Sequence, residues 1–388
     1  MWPYELQSWM ELGYSALPGL DQDAGNPLGI AQLTENRYHG RRQVAPAAYP
    51  LAGITVLLET MVAKILMQTQ PNGTVIATGI QLANSTSFHG REIIISAGAY
   101  RSPQLLKLSG IGPASELTAH DIPVLVDNPD VGQHLIEHFA GTFYYKVRNA
   151  SAGWAIGSGN PVLDEPQYGL GLAVDFNVQT DVPKEGLAHA IELDEGYKPD
   201  ILTHPLLKYN RTFSEYLLLM AGAADGSRVL FGSTGLLPTS RGSVKLASGH
   251  VSDTPLINPN YLGTHVDRYV MRHMMRTQAR FAGSNATIVG REILDGEDPV
   301  LSGATQPIAL NSTDAFLDTR ASAAVGTVWH PHGTCAMGKV VDTDLRVKGV
   351  ENLRVADASV FPVPITAHLQ VATYGMAEQA ALIIGGGS

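Results

Sequence analysis

Apolar positions in the first hundred residues fall in short β-rich runs. Residues 54–58 and 62–66 are two such runs, and each predicts a strand. The second is followed by Asn72-Gly73 and an alternating stretch over 74–80, a strong hairpin signal. Residues 91–96 (Arg-Glu-Ile-Ile-Ile-Ser) predict a strand buried on both faces, as in a parallel sheet. The run ends in Ala97, Gly98 and Ala99, small residues that let a ligand approach the backbone. Ser102-Pro103 then predicts a helix with Ser102 as its cap and Pro103 at its first position, ended by Gly110, with Pro113 opening the next. Residues 240–246 alternate like a half-exposed strand, and 267–282 put Val270, Met271, Met274 and Met275 on one helical face. Prolines and glycines scattered through 150–200 predict long surface loops. After His368 comes an apolar helix ending near Ile384, with Thr366 as its candidate cap.

The chain has 388 residues, 44% hydrophobic and 16% charged, enough for two domains or one large one. A net charge of −10 argues against a nucleic-acid partner, which needs clustered cations. No run approaches the roughly 18 apolar residues of a membrane helix, so no membrane partner is expected. The residues from Met1 have neither a basic nor an apolar leader region, so no signal peptide is expected there. Six Asn-x-Ser/Thr sequons nevertheless occur, at Asn72, Asn84, Asn149, Asn210, Asn285 and Asn311. With 14 asparagines, about two would arise from ordinary serine and threonine usage, so a secreted origin is expected. The one cysteine, Cys335, excludes an internal disulfide.

Two histidines, His330 and His368, flank a strand-like run that carries Asp357. A histidine suits proton transfer near neutral pH because its ordinary pKa lies there. On the residues alone, a structural histidine and a catalytic base are equally open readings of His330. His134 and His138 stand four apart, a spacing that can hold a metal, but no third ligand is in sight. His330, His332 and Cys335 sit in a tight segment with no acidic neighbour, so no metal is expected there; His332 is expected to point away from His330. A serine hydrolase is disfavoured, since no Gly-x-Ser-x-Gly elbow is present.

Three C-terminal stretches carry a resemblance: Val-Trp-His-Pro-His-Gly-Thr-Cys-Ala-Met-Gly at 328–338, Asn-Leu-Arg-Val-Ala-Asp-Ala-Ser-Val-Phe-Pro at 352–362, and Thr-Ala-His-Leu-Gln at 366–370. Together they resemble the end of the glucose–methanol–choline oxidoreductases, flavin-dependent alcohol oxidases and dehydrogenases, with a flavour of the fungal aryl-alcohol and glucose enzymes. The resemblance implies that His330 is the catalytic base and that His368 stands where a second His or Asn assists. Ser-Ala-Gly-Ala at 96–99, Ser102-Pro103 and Ser-Gly-Ile-Gly at 109–112 look like the family's second signature, which lies against FAD. By the same resemblance Val62, Ala97, Gly98, Ala99, Asp357, Ala358, Leu369 and Gln370 are cofactor-binding positions. Asp357 would lie beside ribose and pyrophosphate, and the helix after His368 would turn its positive end to the flavin pyrimidine.

The implied fold is mixed α/β: a partial FAD-binding Rossmann-like domain (47–130 and 340–388) interleaved with an antiparallel-sheet substrate domain (1–46 and 131–339). The implied reaction is FAD-dependent oxidation of a small alcohol to a carbonyl; a non-redox flavin lyase of the same family is an alternative. Gln133, His134 and Glu137 depart from the family's Pro-x-Val-Gly-x-Asn-Leu-x-Asp-His segment. The Gly-x-Gly-x-x-Gly dinucleotide fingerprint does not occur, so the resemblance covers the last two-thirds of a complete member. Without that βαβ unit and its pyrophosphate cradle, apolar sheet surface should be exposed and this polypeptide alone should bind flavin poorly. A truncated chain, an inactive remnant and one half of a split enzyme are the readings this leaves.

Overall fold

Segments far apart in sequence assemble into two units in the computed structural model, which describes residues 1–386 apart from Asp164, Gln167, Gly169, Leu170 and Gly171. One unit comprises Met1–Ile54, Phe139–Thr239 and Leu262–Val328; the other comprises Thr55–His138, Ser240–Tyr261 and Trp329–Ser388.

In the first unit the described residues form an antiparallel sheet in the order Gly29–Gln32, Val174–Thr180, Ser214–Gly222, Arg228–Gly235, Phe139–Val147, Leu294–Glu297, with Val325–Thr327 also on Phe139–Val147. Phe139–Val147 shows how the sheet is built: Phe139, Phe143, Tyr145 and Val147 are buried while Thr142 is exposed, the period-two alternation of a strand with one packed face. Trp9 of the Trp2–Glu11 helix anchors the core, its ring 4.5 Å from Phe281 and 5.3 Å from Tyr216. The predicted helix over 267–282 is present as His265–Ala282, with Val270, Met271, Met274 and Met275 buried. It starts at Thr264, whose hydroxyl accepts from the Asp267 N–H, a side-chain cap.

In the second unit the Asn72-Gly73 signal is met: Val62–Thr69 pairs antiparallel with Val75–Leu82, and Gly73 takes the positive φ of 86° that the turn demands. Ile93–Ile95 is parallel to Leu353–Val355, as its apolar run predicts. It is not buried on both faces, however, for Ile94 is 44% exposed. Residues 54–58 form no strand; they are exposed, with no neighbouring strand among the described residues to satisfy their backbone. Gly242–Lys245 is the expected half-exposed strand and pairs with Leu256–Asn258 and Gln133–Leu135 in a separate sheet. The core of this unit is aliphatic, with Leu106, Ile111, Val131, Val340, Val355 and Val360 buried together around Cys335.

Both helix starts differ from expectation. The second-unit helix runs Gly98–Leu108, so Ser102 and Pro103 lie inside it. The C-terminal helix runs Leu369–Gly385 with His368, not Thr366, at the cap position. Only Leu369 and Ala380 of that apolar helix are buried, and Val371 is 81% exposed.

Candidate active site

Asp357 explains the early start of the Gly98–Leu108 helix. Its carboxylate accepts from the Gly98 N–H at 2.9 Å, the Ser102 hydroxyl at 2.5 Å and the Ser359 N–H at 2.8 Å. An anion at a helix N-terminus satisfies an orphan donor and the positive end of the dipole. The cap therefore comes from a residue more than 250 positions away, which local sequence cannot announce. Gly98 has φ +76°, and the space where a Cβ would point is open.

His330 is buried, and three groups fix it. Its backbone N–H donates to Glu137 Oε1 at 2.8 Å, and Glu137 Oε2 accepts from the Tyr100 hydroxyl at 3.3 Å. Its Nδ1 lies 2.9 Å from Nδ1 of His138, and its ring stands edge-on to His368 with centroids 4.7 Å apart. The preceding residue, Trp329, has a φ of +60°, a left-handed conformation that a bulky residue adopts only under constraint. His330 and His368 thus come together as the sequence predicts, and His368 is the exposed member of the pair.

His332 does not point away. Its Nδ1–H donates to the His330 carbonyl at 2.8 Å, and its ring lies 5.8 Å from that of His138. Burial pushes His332 down to about 4, so it is neutral at pH 7. Gly333 (φ +86°) permits the fold-back; a Cβ there would come within 2.8 Å of the His134 carbonyl. The i,i+4 spacing of His134 and His138 is not helical. His134 lies in the Gln133–Leu135 strand and bonds Asp130 at 2.7 Å, while His138 faces His330. The sequence shows His138 only as half of a weak metal pair with His134, and its place opposite His330 is set by the tertiary fold. Cys335 is fully buried with its thiol pushed well up by burial, so it is chemically quiet.

Val62 and Ala97 line a cavity of about 740 Å³, together with Ile80, Ile93, Ile95 and Leu105. Arg101 is the cation on its wall, and its guanidinium is already bonded to Gln104 and to the Val251 and Asp253 carbonyls. The apolar walls of this cavity fit a flat aromatic ring of the kind FAD carries. No cradle for a pyrophosphate is present among the described residues lining it. Ala99 is buried, Ala358 begins a short 3₁₀ turn after Asp357, and Leu369 and Gln370 open the C-terminal helix.

Family models for the N- and C-terminal parts of the GMC oxidoreductases match residues 10–140 and 238–377. GMC-type oxidoreductase acuG from Aspergillus aculeatus is 36% identical over 372 residues, covering 93% of this chain and 68% of that protein. The GMC oxidoreductase family protein Mala s 12 from Malassezia sympodialis is 31% identical, covering 79% of this chain; the chain spans 52% of its length. A formate oxidase structure from Aspergillus oryzae superimposes with a TM-score of 0.80 over 99% of this chain and 70% of its own, at 21% identity, a likeness of fold. On the two family matches and the acuG alignment, the chain belongs to the GMC oxidoreductases, a family of FAD flavoproteins.

Proposed function

We propose that this chain serves the oxidation of an alcohol to a carbonyl, with His330 as the base. What carries the reading is the pairing of a buried, doubly anchored imidazole with a second, exposed imidazole edge-on at 4.7 Å. An alcohol C–H becomes hydridic only as its O–H proton leaves, so a base must be held in position before the substrate arrives. His330 takes that proton at its ring nitrogen, and His368 orients the hydroxyl and shares the developing charge. Glu137 fixes the His330 backbone, so substrate binding need not reorganise it. Bound FAD supplies the two-electron acceptor for the hydride.

Cofactor binding is assigned to the second unit, with Val62 and Ala97 against the adenine side and the Gly98, Ala99, Asp357 and Ala358 backbone beside the ribose. Leu369 and Gln370, at the amino end of the C-terminal helix, bring its positive pole toward the flavin. The first unit, with its antiparallel sheet, is assigned to the substrate. Secretion is supported by the six sequons, whose asparagines are all exposed.

The test is anaerobic mixing of the FAD-loaded chain with benzylic and aliphatic alcohols while the flavin absorbance is followed. Bleaching that His330→Ala slows by about 100-fold or more is expected, the range of a lost general base. Bleaching at the wild-type rate in that variant overturns the reading, and a flavin that no alcohol bleaches favours the lyase.

A further inference from the structure

Successive residues at the start of the Gly98–Leu108 helix each hold a different piece of the site. The Gly98 N–H donates to Asp357, the Ala99 carbonyl accepts from Thr334, and the Tyr100 hydroxyl bonds Glu137. The last of these reaches the backbone of His330. Glu137 Oε1 takes the His330 N–H at 2.8 Å, while Oε2 lies 3.3 Å from the Tyr100 hydroxyl. Glu137 is buried, so its carboxyl group depends on protein partners and not on water. Several torsions separate that group from the backbone, and a hydrogen bond at one oxygen alone does not stop it swivelling. Contact at the second oxygen does. Tyr100 suits the task because its ring is rigid and half-buried, on a helix whose start is pinned by Asp357. The residue before His330 is held in the left-handed region at φ +60°, so this segment needs an anchor to keep its peptide orientation.

We propose that Tyr100 is a positioning residue that grips the second oxygen of Glu137 and so keeps the first against the His330 N–H. The grip does not depend on which partner carries the proton between them, since a hydroxyl can donate or accept. Its catalytic meaning rests on the reading of His330 as the base; the anchoring itself does not. Other ionisable groups around His330 leave its N–H to Glu137. His138 meets a ring nitrogen, His332 bonds the carbonyl, and His368 stands against the ring edge-on. The turn assigned to the cofactor and the proposed base are then joined by one hydrogen-bonded chain, Tyr100 to Glu137 to His330.

Amide hydrogen exchange reads this directly in the full chain carrying ¹⁵N-histidine, without cofactor or substrate. The His330 and His332 amides are identified by their loss in His330→Gln and His332→Gln. The His332 N–H donates to the carbonyl of Ile136, the residue next to Glu137, so it reports any general loosening of that stretch. Tyr100→Phe keeps the ring and deletes the hydroxyl. It should speed exchange at His330 about tenfold and leave His332 unchanged. Glu137→Leu removes the acceptor and should speed His330 by itself; adding Tyr100→Phe to it should then add nothing. Unchanged exchange at His330 in Tyr100→Phe overturns the proposal, as does equal acceleration at both amides. Further acceleration on adding Tyr100→Phe to a folded Glu137→Leu chain overturns it too, by showing that Tyr100 acts through something else. Should Glu137→Leu not fold, the comparison of the two amides in Tyr100→Phe decides. The proposed base and this anchor fail separately: undiminished alcohol oxidation in His330→Ala removes the former and leaves the latter.

Discussion

The Thr334 hydroxyl donates to the carbonyl of Ala99 at 2.6 Å, and both residues are buried. Pro103, four residues on in the same helix, has no N–H with which to bond that carbonyl. An interior proline ordinarily leaves an orphan acceptor; here a side chain from the His330 segment fills the place. The small-residue turn at 97–99 and the histidine segment are therefore tied by one hydrogen bond that a proline makes necessary. Thr334→Val keeps the shape and deletes the donor. It should lower stability by about 1–3 kcal/mol in urea denaturation, while Thr334→Ser stays close to wild type. A Val variant as stable as the native chain would mean that the Ala99 carbonyl finds another donor.

Acid should weaken the second unit through its neutral histidines. His332 has its pKa depressed from 6.5 to about 4, so between those values the unfolded chain binds a proton that the folded chain refuses. Stability is thus complete above about pH 6.5 and falls as pH drops toward 4, by about 3 kcal/mol for this group alone. His138 is depressed too and acts in the same direction. His332→Gln retains a donor for the His330 carbonyl and should flatten the slope by one proton. Denaturant midpoints at pH 7, 5.5 and 4.5 measure this; an equally steep variant would assign the acid sensitivity elsewhere.

The apolar cavity offers a test of cofactor placement that needs no turnover. Ala97 is exposed on its rim, and its N–H is held by the Ser102 hydroxyl at 3.1 Å. Ala97→Phe would send a ring into the space between Val62 and Leu105 without touching the core. FAD affinity, followed by flavin fluorescence or by amide shifts at Val62, should fall about tenfold, about 1.4 kcal/mol, with the melting temperature unchanged. Equal affinity in the variant would place the nucleotide somewhere else.

What was legible in the sequence is what is decided locally. Asn72-Gly73 makes its hairpin whatever surrounds it, and Met271, Met274 and Met275 mark a buried face by spacing alone. The pairing of His330 with His368 was legible through the order of the motifs. Features decided at long range were not. Gly98 starts a helix because Asp357 caps it, and Pro103 is tolerated inside because Thr334 compensates. His138 reads as a metal-type histidine only if the chain between it and His134 is helical, and that chain is extended. Residues 54–58 have strand composition, but a strand is a property of two segments, and no second one lies beside them among the described residues.

The sequons give the remaining test, because attachment needs an asparagine whose surroundings can hold a glycan. All six are exposed, whereas Asn128 and Asn177, which are not in sequons, are buried. Asn72 and Asn84 sit at the two turns that flank the Val75–Leu82 strand, and each accepts from the backbone N–H two residues on. In the Asn285 and Asn210 sequons the threonine is buried while the asparagine is not, so a sugar there would project outward without disturbing the hydroxyl. None of the six lines the apolar cavity. Secretion from a eukaryotic host should therefore yield a chain whose mass falls to the polypeptide value on treatment with an N-glycan amidase. That treatment converts each carrier asparagine to aspartate, and peptide mapping should find conversion at Asn72 and Asn84 above all. Their threonine-containing sequons lie on exposed hairpin turns, where the least folded structure crowds a glycan. A secreted chain with no conversion at either position would show that the excess of sequons reflects composition and not modification.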